Sequence, residues 1–156
     1  MRNKLGLICA AAIALAASSG TVFANDTFDG AIKARKSLMT LYAFNLGQLG
    51  AMAKGEADYN AEQAKTAADN LKVLASMNLG AAWPQGSDST ANPGKTRAKV
   101  EAWTKYPESA KIHGELIEAT TKLAAAAGSG VDGIRANIGP VGASCSACHK
   151  AFRETN

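Results

Sequence analysis

The sequence predicts an all-α fold, an antiparallel four-helix bundle, and three observations carry that prediction. Apolar residues recur at intervals of three and four along four separate segments. No stretch alternates apolar and polar residues as a half-buried strand would, and no internal repeat is present. Cap-type residues, glycine and proline cluster between the segments, and most of the connections are short, which makes consecutive helices run antiparallel.

The chain opens with a segment of another kind. Arg2 and Lys4 form a short positive region, Leu5 to Ala17 is apolar and alanine-rich, and Val22-Phe23-Ala24 ends in a small-residue cleavage pattern before Asn25. Residues 1–24 therefore read as a secretory signal peptide, and the mature domain spans 25–156 in the periplasm. The apolar run is too short for a membrane span, so no membrane insertion is expected. Cys9 lacks the preceding small residue of a lipoprotein signal and leaves with the peptide.

The first helix is expected from Gly30 to Lys54, with Gly55 as its stop. Asn60 followed by Gln63 resembles a capped start, and the second helix continues through Leu71, Leu74 and Ala75 to about Met77. Gly80, Pro84, Gly86, Pro93 and Gly94 then break any period across residues 78–95. That stretch is either a surface linker or a crossover packed over something, and Trp83 and Trp103 favour packing because large aromatics tend to be buried. A short helical turn ends near Trp103. Pro107 suits a first turn, and Ile112, Leu116, Ala119 and Leu123 keep one stripe until Gly128. The last helix begins near Val131. Within it Pro140 has no N–H for Ala136, so a kink or a new helix start is expected there. Losing Arg2 and Lys4 with the signal lowers the formal charge from +4 to +2, too little to indicate nucleic acid as a partner.

Chemistry enters with Cys145-Ser146-Ala147-Cys148-His149. A C-x-x-C-H run reads as a covalent haem c site, each thiol forming a thioether with one vinyl group and the histidine offering its imidazole to the iron. A thioredoxin-type site would sit beside a strand, structural zinc would need a fourth ligand with a motif around it, and a disulfide would close a tiny loop inside a helix. Of the three cysteines in the chain, the mature domain keeps only these two.

Helical registers place the group. Val131, Ile134, Ile138, Val141, Cys145, Cys148 and Phe152 are spaced 3, 4, 3, 4, 3, 4, a heptad seam that turns both thiols toward the core. In the first helix Ile32, Arg35, Met39, Tyr42, Leu46, Leu49 and Ala53 form a second stripe. Arg35 is its charged member, either paired with a haem propionate or snorkelling to solvent. Met39 lies about 6 Å along the helix from Arg35 by rise, and either faces the ring or packs in an ordinary core.

These residues resemble the cytochrome c′ family, secreted bacterial four-helix-bundle cytochromes with the haem motif near the C-terminus. The likeness is most specific in Val141–Arg153 and extends to Arg35-Lys36-Ser37-Leu38-Met39 and Lys54-Gly55-Glu56-Ala57-Asp58-Tyr59. The resemblance implies His149 as the proximal ligand, Arg153 as its basic neighbour, Arg35 as a propionate contact and Met39 as the distal residue. Lys36 stands where many members have glutamine. The resemblance further implies a five-coordinate, high-spin iron that binds NO or CO, and a homodimer packed through the first two helices. Low-spin relatives of the same bundle use a methionine at the Met39 position as sixth ligand and share Lys54-Gly55-Glu56 and Pro140. The loop with Trp83, Gly86 and Ser87, and Trp103 after it, looks more like the five-coordinate branch.

The expectation is a monohaem electron-transfer protein with an open site for NO or CO. The alternatives are a low-spin His/Met electron carrier and an NO scavenging or storage protein. No nucleophile triad, phosphate loop or metal cluster accompanies the motif, and Met39 moves no protons, so no enzyme activity is expected.

Overall fold

The computed structural model describes residues 26–155, so the proposed signal peptide and its cleavage site lie outside the described residues. Among the described residues there are five α-helices: α1 (Asp29–Lys54), α2 (Ala61–Ser76), the short α3 (Glu101–Thr104), α4 (Tyr106–Ala126) and α5 (Val131–Phe152). The four long ones are the expected segments, to within a residue or two.

Local chemistry explains their ends. Gly55 adopts a left-handed backbone, φ +76°, and its N–H and that of Glu56 reach back to the carbonyls of Met52 and Ala51, closing α1. The Asn60 side chain accepts from the Gln63 N–H at 2.9 Å and starts α2. Pro107 sits in the first turn of α4, where its missing N–H costs nothing. α5 runs unbroken through Pro140, so the proline starts no new helix. The remaining turns of α5 are held by packing on both sides, which outweighs one absent hydrogen bond.

The long helices form a closed ring in which α1 packs on α2 and α5, and α4 packs on α2 and α5. They are antiparallel: His113 near the start of α4 meets the Ala75 carbonyl at the end of α2, 3.0 Å away, while Tyr59 before α2 donates to the Ala127 carbonyl after α4. Arg135 near the start of α5 likewise donates to the Ala53 carbonyl at the end of α1. Gly133 sets the approach of α4 and α5, because a Cβ there would lie 2.3 Å from the Ala126 carbonyl oxygen.

The side-chain core is built from Leu49, Met52, Leu71, Leu123, Ile134 and Val141 with a lining of alanines on α2. It reaches Tyr42 on α1 and Val141 on α5 and does not continue to the C-terminal end of α5. On the outer face, Leu41 and Phe44 of α1 and Val73 of α2 are exposed. No helix among the described residues is long and apolar enough to cross a membrane.

Candidate haem site

Beyond Val141 the α5 seam carries Cys145 and Cys148 past the main side-chain core, both as free thiols and both half-buried. Burial raises the pKa of each thiol. Tyr42 of α1 stands close to the first of them. Its phenol is pushed up to about 12, mainly by burial and further by the Cys145 sulfur. Met39, one turn before Tyr42 on the same stripe, is 39 % exposed although its neighbours Arg35 and Tyr42 are buried. Met39 on the α1 stripe and the two thiols on the α5 seam thus lie past Tyr42 and Val141, where the main side-chain core ends. Two free thiols and an imidazole within five residues at the end of one helix suit a haem tethered through sulfur.

The His149 imidazole follows at the last turn of α5. Its pKa is lowered by burial first, then by the charges of Arg153 and Arg97. The neutral ring is thereby favoured, and the neutral ring is the form that ligates iron. Arg153 lies just past the helix: its N–H bonds to the His149 carbonyl, its backbone is extended, and it pairs with Ala98 in an isolated antiparallel bridge. Lys99 donates to the Phe152 carbonyl and Glu154 to the Arg97 carbonyl, each at 2.9 Å. Arg97 was not foreseen as a neighbour of His149, because only this pairing brings it there.

Arg35 does not snorkel. It is 3 % exposed, and its guanidinium donates to the Ser87 hydroxyl at 2.6 Å, the Thr96 hydroxyl at 3.0 Å, the Ala82 carbonyl at 3.4 Å and the Ser87 carbonyl. The cation also lies 5.1 Å from the Trp83 ring centroid and 5.7 Å from that of Trp103. The two rings are tilted at 55°, and the Trp103 indole N–H donates to the Trp83 carbonyl. Burial lowers the arginine pKa and the Asp88 carboxylate partly restores it. The crossover after α2 is thus a packed structure built around Arg35. In the sequence Ser87 stands out only through the loop's resemblance to the five-coordinate branch, and Thr96 and Asp88 carry no motif, so none of the three was expected as a partner of Arg35.

A four-helix bundle with a C-x-x-C-H motif in its last helix, both thiols free, defines a bundle-type c cytochrome. The sequence profile of the family described as Cytochrome C′ matches residues 30–153, and the chain belongs to the cytochrome c′ family. It is 37 % identical to cytochrome c-554 of Cereibacter sphaeroides over 123 residues, 79 % of this chain and 92 % of that one. The fold is similar to that of a cytochrome c′ from Rhodobacter sphaeroides, with a TM-score of 0.79, 33 % identity and coverage of 82 % and 98 %. It is also similar to a variant of Alcaligenes xylosoxidans cytochrome c′ in its ferrous form with bound NO, with a TM-score of 0.70, 33 % identity and coverage of 81 % and 94 %. Members carry haem c, and here Cys145 and Cys148 are its attachment points.

Proposed function

We propose that the protein is a periplasmic monohaem electron-transfer cytochrome with a five-coordinate iron open to NO and CO. Haem, when bound, would supply an iron able to exchange one electron and to bind a diatomic gas. The chain's own residues do the rest. Cys145 and Cys148 hold the ring edge, and neutral His149 presents its imidazole as proximal ligand with Arg153 beside it. Arg35 is a propionate contact through the Nε–H, its four terminal N–H groups being directed to the loop. Met39 lines the distal side and excludes water.

The observation that carries the open-site reading is the fate of the only other histidine. His113 is bound to the Ala75 carbonyl, which leaves the weak thioether of Met39, and no imidazole, on the distal stripe of α1. The NO-bound relative supports gas binding at such a site. Without a proton-moving group at Met39, the reading is electron exchange and gas binding, not catalysis. The exposed Leu41, Phe44 and Val73 support a homodimer through α1 and α2.

One observation favours a second reading. Met39 is inward-facing by register yet unpacked, so its sulfur is available as a sixth ligand, which would make the protein a low-spin carrier. Absorption spectra of the oxidised and reduced protein, with and without CO, decide between the two. High-spin spectra that shift with CO are expected. A low-spin spectrum indifferent to CO would replace the open site with Met39 ligation.

A further inference from the structure

Charge is unevenly placed on this molecule. Residues 26–40, 80–105 and 149–155 carry nine Lys and Arg against five Asp and Glu, whereas the rest of the chain after residue 25 carries six against eight. The positive side is concentrated on the segment that pairs with the end of α5. There Lys95, Arg97 and Lys99 occupy alternate positions. Thr96 between them turns inward to accept from Arg35, and Ala98 is half-buried in its bridge with Arg153, so Arg97 and Lys99, which flank the bridge, lie on its other side, while Lys95 closes the turn that leads into it. Lys36 joins them from α1, its ammonium 3.5 Å from the Lys95 carbonyl. Nearby acids offset part of this charge. Asp29 binds Lys95 at 2.7 Å, Glu154 accepts from the Ser89 hydroxyl, and Asp88 is buried against its own turn.

The resulting strip crosses from α1 to the last turn of α5, beside the half-buried thiols and His149. Positive charge at the edge where a redox group is most accessible draws negatively charged surfaces to productive orientations and raises association rates. We propose that Lys36, Lys95, Arg97, Lys99 and Arg153 form the docking surface for the acidic face of a redox-protein partner. The surface rests on the electron-transfer reading given above. Geometry places the strip there: the Arg153 N–H bonds to the His149 carbonyl at 3.1 Å, and the Ala98–Arg153 bridge sets Arg97 and Lys99 beside the last turn of α5.

The test is stopped-flow reduction of the ferric holoprotein by a reduced plant-type [2Fe–2S] ferredoxin, an acidic one-electron donor. One electron passes from the cluster to the ferric iron, leaving oxidised ferredoxin and ferrous haem. The wild-type rate should fall as salt rises. Lys36→Glu with Lys99→Glu should slow it on the order of tenfold at low salt and converge with wild type at high salt. Lys54→Glu with Lys122→Glu changes net charge equally at the other end of the bundle and should leave the rate near wild type. Arg97→Gln, a milder change, should slow the reaction less but in the same direction. Haem absorption checks that each variant is folded. A rate insensitive to salt, or equal slowing by both charge-reversed pairs, overturns the docking surface. A protein that dithionite reduces but ferredoxin does not, at any salt, overturns the surface while keeping a redox-active haem. A protein that dithionite also fails to reduce overturns the electron-transfer reading and the surface together.

Discussion

The Arg35 guanidinium on α1 donates a 2.6 Å hydrogen bond to the Ser87 hydroxyl, and Ser87 in turn donates to the Pro84 carbonyl at 2.7 Å. One buried cation thus organises the whole crossover between α2 and α4. The same loop is tied to the end of α5 by the Ala98–Arg153 bridge, so α1 and α5 are joined through it.

Arg35→Ala should therefore loosen the loop before it unfolds the bundle. Removing a buried, multiply bonded cation strands the Ser87 and Ala82 carbonyls and the Asp88 charge, a cost of about 2–4 kcal/mol. Thermal unfolding and limited proteolysis across residues 84–95 measure it. Arg35→Ala should also lower the reduction potential if a propionate shares the cation, since positive charge near haem favours the reduced state. Ser87→Ala keeps the charge, so it should cost only about 1–2 kcal/mol and leave the potential in place.

The mature protein should exceed its polypeptide mass by one haem that resists acid–acetone extraction, and Cys145→Ala with Cys148→Ala should retain none. Haem held by Cys145 and Cys148 would pack past the end of the side-chain core, so its loss should be felt there first. Hydrogen exchange of the haem-free variant should show the end of α5 and the first half of α1 exchanging fast. Amides around Leu71, Leu123 and Ile134, where the core is filled with side chains, should stay protected for longer.

Met39→Ala separates the two states of the iron. With an open site, the substitution should leave the resting spin state high and speed CO binding by removing bulk from the distal side. A low-spin wild type that turns high-spin on substitution, with a lowered potential, would make Met39 a ligand.

Gly133→Ala places a methyl group where the Ala126 carbonyl already lies, 2.3 Å away, so α4 and α5 must part at their junction. A loss of about 1–3 kcal/mol in thermal or denaturant unfolding is expected. Gly47→Ala meets nothing within 4 Å on exposed α1 and should instead stabilise by about 0.5–1 kcal/mol.

Helix positions and the haem motif were legible in the chain because both are local. Three-and-four periodicity, the Asn60 cap and the Gly55 stop each act within a few residues, and Cys145, Cys148 and His149 are contiguous enough for one helix to present them together. The register of α5 likewise put both thiols on the inward seam without any knowledge of its partners. Tertiary structure decided what local pattern does not encode. Arg35 meets Ala82, Ser87 and Thr96, 47 to 61 residues away, because a loop without periodicity folds back over α1 and supplies acceptors to the buried cation. Arg97 reaches His149 only through the pairing of two segments far apart in the chain. Pro140 stayed inside its helix because contacts with α1 and α4 outweigh one missing hydrogen bond. Sequence thus determined which residues could hold a haem, and long-range packing decided the charges and the loop that surround it.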